Sequence, residues 1–155
     1  MEATAHEVTP AALAEQLLAL WRDVMQGSSG AFFALLEELD LTITQIKTLD
    51  VLSGCASEVS VKELSESLGM SLPSASRTVE ALLRRGWLER REDDRDRRVK
   101  RIRVTAGGRD VVARVNGVRL EGLERFARSL DPEQRARLSG ALAAAHQTSS
   151  PARPA

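Results

Sequence analysis

The sequence predicts a mostly α-helical chain with a small two- or three-stranded antiparallel sheet, and three observations point to it. Apolar residues recur at spacings of three and four through most of the 155 residues, which is helical periodicity. Serine-led caps and single glycines punctuate the middle of the chain, where a short helix, a tight turn and a second helix follow one another. Directly after them, two short runs alternate in type around a charged loop that holds no Gly, no Pro and no apolar residue. With 43% hydrophobic and 28% charged residues, the chain can bury a core without disulfide or metal staples.

From Pro10 to Met25, Leu13, Leu17, Leu20, Trp21 and Val24 mark one face of an amphipathic helix. The GSSG run at 27–30 is expected to break it, and AFFALLEEL then forms a short separate helix. Ile43, Ile46, Leu49 and Leu52 mark another helix, with Thr44 as its expected N-cap and SGC at 53–55 as its end.

Ser60-Val-Lys-Glu63 is a capping-box pattern, in which hydroxyl and carboxylate satisfy each other's backbone amides. It opens a short helix with Val61, Leu64 and Leu68 inward, stopped by Gly69. Ser71 caps the next helix, Pro73 falls in its first turn, and Leu72, Ala75, Val79, Leu82 and Leu83 form the expected inner stripe. Gly86 stops it. The runs 87–91 and 99–104 are the strands, and the whole reads as a winged helix-turn-helix. Thr105 caps a long helix with Gly107 and Gly108 in its first turn, and Asp131-Pro132 opens the last one. The expected organisation is a helical dimerisation segment over 1–40, the winged domain over 41–106, dimerisation helices over 107–147 and a disordered tail over 148–155.

Net charge is zero, yet residues 1–60 carry nine acids and two bases while residues 77–103 carry eleven bases and six acids. A local basic patch of this kind suits a polyanion whatever the overall balance. The N-terminus carries acids where a secretory leader needs bases, and no apolar run reaches a membrane span, so a cytoplasmic protein is expected. The lone Cys55 cannot make an internal disulfide. His6 and His146 stand apart from any carboxylate or Cys cluster, so no metal, no cofactor and no catalytic set is expected.

LTITQIKTLDVL, VKELSESLGMSLPSASRTVEALLRRGWLER, DRR and VTAGG, in that order between Leu41 and Gly108, resemble the MarR family of bacterial regulators. Val104 replaces the leucine of the family's last motif, a conservative departure. The resemblance implies an obligate dimer of winged-helix lobes joined by both chain ends. It further implies a sequence-specific DNA-binding regulator, a repressor, reading an inverted-repeat operator of double-stranded DNA. The apolar faces at Leu13, Leu17 and Trp21 and at Leu120, Leu123, Phe126, Leu138 and Leu142 agree with that dimer, although within a monomer they could cover each other.

The exposed face of the second helix would read the major groove with Ser71, Ser74, Arg77 and Thr78, joined by Arg84. In the wing, Arg95, Arg97, Arg98 and Arg101 are the expected DNA contacts. The family's Asp-Arg-Arg is here Asp96-Arg97-Arg98, which implies that one arginine enters the minor groove while Asp96 orients it. Glu92, Asp93 and Asp94 read as charges that limit the loop's self-repulsion. Family members commonly bind small phenolic or lipophilic molecules, and Trp21, Met25, Phe32, Phe33, Ile46 and Leu49 are the expected lining of such a pocket. Redox sensing by Cys55 is not expected, because the chain holds no tyrosine to partner it. The alternative reading is a winged helix that docks an acidic protein through its basic wing.

Overall fold

The computed structural model describes residues 8–93 and 99–149. Its elements are α1 (Pro10–Glu38), α2 (Ile43–Gly54), β1 (Val59–Ser60), α3 (Val61–Leu68), α4 (Leu72–Arg84), β2 (Leu88–Glu92), β3 (Lys100–Val104), α5 (Ala106–Ser129) and α6 (Pro132–Ser149). The three strands form one antiparallel sheet in the order β1-β3-β2. Among the described residues, no helix is long and apolar enough to cross a membrane, and no group of three or more His, Cys, Asp or Glu could hold a metal.

The chain divides into two compact units, one from the segments ending at Phe33 and beginning at Val118, the other Ala34–Gly117. The second holds most of the core: Leu36 from α1, Ile46, Leu49 and Leu52 from α2, Leu64 from α3, Val79 and Leu82 from α4, Ile102 and Val104 from β3, and Val111 and Val115 from α5. Fully burying each Leu or Ile contributes about 1.5–3 kcal/mol. The buried Thr48 and Ser65 hydroxyls are satisfied within their own helices, donating to Thr44 O at 2.8 Å and Lys62 O at 2.7 Å.

The sequence expectations need correction at four places. GSSG does not break the first helix, and α1 runs unbroken from Pro10 to Glu38. Each interior glycine costs about 0.5–1 kcal/mol. Val24 before the run and Leu35 and Leu36 after it are buried, each within its own unit. The N-cap of α2 is Thr42, not Thr44: its side chain accepts from Gln45 N at 3.2 Å while Gln45 Oε1 accepts from Thr42 N at 2.9 Å. Leu72 is 49% exposed and leaves the inner stripe, because it is the first residue of α4, one turn beyond the buried Ala75. Lastly, α6 continues through Ser149, past the expected boundary at 147.

Other punctuation is as the sequence indicates. Ser60 and Glu63 form their capping box, and Asp131 with Gln134 forms another ahead of α6. Helix α3 ends at Gly69 (φ 62°), and α4 ends in a Schellman turn: Gly86 (φ 70°) donates to Leu83 O and Trp87 N donates to Leu82 O. The same pattern closes α1 with Asp40 in the left-handed position (φ 48°), one of the few side chains that tolerate it.

The first unit, by contrast, leaves much of its apolar surface open. Leu13, Leu17, Trp21, Phe33, Leu120, Leu123 and Leu142 are all exposed, Trp21 by 60%. Leu17, Trp21, Val24, Leu123, Phe126 and Leu142 are among the residues lining an apolar groove of about 570 Å³.

Candidate nucleic-acid interface

Two elements of the Ala34–Gly117 unit bring the predicted contact residues to its surface: the N-terminal half of α4 and the β2–β3 hairpin. Helix α4 packs on α2, α3 and β2 through Ala75, Val79 and Leu82. That leaves Ser71 and Arg77 exposed and Ser74 and Thr78 half-buried. Ser71, extended at φ −66° and ψ 146°, caps the helix by accepting from Ser74 N. Its hydroxyl donates to Ser74 Oγ at 2.9 Å, and Arg77 Nη2 donates to the same oxygen at 3.2 Å. The guanidinium is thereby drawn toward the helix N-terminus, where the free amides already favour an anion. Thr78 turns its hydroxyl back to Ser74 O at 3.0 Å, and Arg84 is exposed on the last turn.

Arg85, next to Arg84, is occupied elsewhere. It donates to the carbonyls of Leu39 and Asp40 at the C-terminal end of α1, and its guanidinium stacks 4.0 Å over the Trp87 ring. Cations are favoured at helix C-termini, so Arg85 fastens the end of α1 to the α4–β2 junction.

In the hairpin, Leu88 pairs with Val104, Arg90 with Ile102 and Glu92 with Lys100 on one face, and Glu89 with Arg103 and Arg91 with Arg101 on the other. The acids are cross-strand partners. Arg103 Nε meets Glu89 Oε1 at 2.6 Å, Lys100 Nζ meets Glu92 Oε1 at 2.7 Å, and Arg101 Nε meets Asp93 Oδ2 at 2.6 Å. Arg90 bonds Glu80 of α4 at 2.6 Å, and Arg91 bonds Glu58 just before β1. Placing Arg91 opposite Arg101 would be unfavourable alone, and the surrounding carboxylates offset it. Glu92 and Asp93 therefore do more than limit loop repulsion.

Arg101 is held by two acids, since Glu63 Oε2 accepts from its Nη1 at 2.9 Å. The Ser60 backbone N–H and then its hydroxyl, followed by the Arg101 charge, hold the Glu63 carboxyl below its ordinary range. Asp93, followed by Glu63, raises Arg101 above its ordinary value.

The wing-tip residues Arg95, Asp96, Arg97 and Arg98 lie outside the described residues. Of the expected pocket residues, Ile46 and Leu49 are wholly buried in the core of the Ala34–Gly117 unit. Trp21 lines the groove of the other unit, Met25 is half-buried, and Phe32 lies edge-on to Phe33 with Arg119 5.3 Å from its ring centroid. Sequence reasoning missed Glu58, Glu80, Thr42 and the Arg85 clamp. Only Thr42 left a signal, the Thr-x-x-Gln spacing to Gln45.

Residues 39–99 match a model of the MarR family. The transcriptional repressor MprA of Escherichia coli K12 is 43% identical over 53 residues, which are 34% of this chain and 30% of that repressor's length. The RV1404 crystal structure from Mycobacterium tuberculosis is similar at 27% identity with a TM-score of 0.77, over 97% of this chain and 100% of that one. A mutant of S. aureus MepR bound to an oligodeoxyribonucleotide shares the fold at 22% identity with a TM-score of 0.65, over 85% of this chain and 96% of that one. The match to the MarR family thus spans the helix-turn-helix and the wing stem, and the fold of the chain is that of these solved structures.

Proposed function

We propose that the chain is a homodimeric, sequence-specific DNA-binding transcriptional repressor. The observation that carries the proposal is the exposed edge of α4, where Ser71, Ser74 and Arg77 form one hydrogen-bonded set at a helix N-terminus. Hydroxyls there suit phosphates or base edges, and Arg77 can bond a guanine with both arms of its guanidinium. Thr78 and Arg84 flank that set, and Arg95, Arg97 and Arg98 of the wing tip supply the minor-groove contact with Asp96 orienting them. The name of MprA, a repressor, and the oligonucleotide bound to the MepR mutant support this direction.

The open groove of the first unit supports the dimer. Leu17, Trp21, Leu123, Phe126 and Leu142 present apolar surface that a second copy would bury, with Leu13, Leu120 and Leu138 extending it. Two α4 helices then read half-sites of an inverted repeat about one helical turn apart. Relief by a small lipophilic or phenolic ligand belongs to the same proposal, with the exposed rings of Trp21 and Phe33 as its support. Such a ligand acts only by binding better to a dimer whose lobe spacing does not fit the operator.

Fluorescence anisotropy against the DNA upstream of the protein's own gene, with random DNA as control, tests the proposal. Specific binding at about 150 mM salt should exceed random binding by about a thousandfold. Arg77→Ala should remove most of that ratio, as should the double variant Arg97→Ala/Arg98→Ala. Equal weak binding to both DNAs, with a monomer in solution, would instead indicate a wing that docks an acidic protein.

A further inference from the structure

The described basic residues of the wing stem, Arg90, Arg91, Lys100, Arg101 and Arg103, all carry a carboxylate partner from their own fold. Arg90 ties the hairpin to α4 through Glu80, and Arg101 ties it to α3 while also holding an acid of the hairpin itself. Arg101 Nε takes Asp93, which directly follows β2, and its Nη1 takes Glu63 in the first turn of α3.

The shared atom matters. Glu63 Oε2 accepts from Ser60 N at 2.6 Å, closing the capping box of α3, and the same oxygen accepts from Arg101. Ser60 is also the β1 residue paired across the ladder with Arg101. One carboxylate oxygen thus joins the N-cap of α3, the central strand and, through the guanidinium, the root of the wing.

We infer that Arg101 is a positioning residue, which braces the wing stem to the N-cap of α3 through Glu63 and Asp93 and does not itself neutralise a DNA phosphate. The inference rests on the DNA-binding reading and replaces the direct contact that the sequence suggested for Arg101. Two short, charge-assisted bonds already orient its guanidinium and offset its charge, so a phosphate gains less from it than from an arginine with no acid beside it. The brace thus acts beside the Arg90–Glu80 pair in setting the wing stem against the helix-turn-helix.

The acids give the test its sign. Removing a negative charge close to DNA should tighten binding by simple electrostatics. A brace predicts the opposite for Asp93→Asn and Glu63→Gln. Glutamine still serves in a capping box, so Glu63→Gln keeps α3 capped while withdrawing the charge from Arg101. Each variant should weaken specific binding by about three- to tenfold, the loss expected when one member of a coupled pair is removed. Arg101→Ala should weaken it by about tenfold with the salt slope unchanged, whereas loss of a phosphate contact flattens that slope by about 0.9. The double variant Glu63→Gln/Arg101→Ala should bind no worse than Arg101→Ala. Unchanged or tighter binding by both acid variants, or a flattened slope, overturns the brace.

If the wild-type protein does not distinguish its upstream DNA from random DNA, the DNA-binding reading fails and the brace is decided in the free protein. Hydrogen exchange should then show the Ser60 amide losing protection in Arg101→Ala together with the amides of β2 and β3. Loss confined to the hairpin overturns the inference.

Discussion

Gly108→Ala tests how the sheet is seated against α5. A Cβ at Gly108 would lie 2.2 Å from Trp87 O and 2.7 Å from a Val104 methyl, so the helix or the strand must move. The Trp87 carbonyl cannot yield cheaply, because it accepts from Thr105 N at 3.1 Å. Thr105 is in turn the cap of α5, its hydroxyl accepting from Gly108 N at 3.1 Å and donating to Gly86 O at 2.7 Å. Overpacking of this kind costs about 1–3 kcal/mol. Disturbing the cap adds about 1 kcal/mol, and the better helix propensity of alanine returns at most about 1 kcal/mol. The expected net loss is about 1–3 kcal/mol, or roughly 2–12 °C in melting temperature for a chain of this size. Urea unfolding followed by tryptophan fluorescence and far-UV circular dichroism measures it. Gly107→Ala is the control, since its Cβ would meet nothing nearer than 3.9 Å, and it should stay within about 0.5 kcal/mol of wild type. If Gly108→Ala proves no more destabilising than Gly107→Ala, the close approach described above is wrong.

Three other outcomes are expected. Ser71→Asp keeps an N-cap and should hold stability within about 0.5 kcal/mol, yet it places a carboxylate against phosphate and should abolish specific DNA binding; Ser71→Ala should cost about 1 kcal/mol in chemical denaturation. Leu123→Glu alters a side chain that is 48% exposed, so sedimentation should show a monomer that keeps its helical circular dichroism; a dimer that persists would refute the groove as the interface. Glu63 titrates below its ordinary value because Ser60 and Arg101 favour its charged form. Its stabilising contribution is therefore complete above the unfolded-state value and is lost as pH falls through the lowered one. Comparing wild type with Glu63→Gln in denaturant titrations across the acid range should show the two stabilities converging at the lowest pH, and parallel curves would exclude this linkage.

The winged segment was legible in the sequence because its signals are local. The capping box at Ser60 and Glu63, the stops at Gly69 and Gly86, and the Ala75, Val79 and Leu82 stripe each depend on residues within one or two turns. For the same reason the reading of the outer edge of α4, Ser71, Ser74 and Arg77, needed only the helical period. The misplaced cap of α2 had a local signal too, the Thr42-x-x-Gln45 box, whereas GSSG looks like a breaker when only propensity is weighed and α1 nevertheless runs through it.

What the tertiary structure alone decided is which charge meets which. Glu58, Glu63 and Glu80 lie between 10 and 45 positions from the arginines they hold, and nothing in the local pattern of ERREDDRDRRVKRIRV selects those partners. The register of β2 against β3, with β1 added at the edge, brings them within hydrogen-bond reach. Caps and periodicity are short-range properties that the sequence carries by itself. Ion pairing across the wing is a long-range one, because it exists only once burial of Leu88, Ile102 and Val104 has set the strands in place.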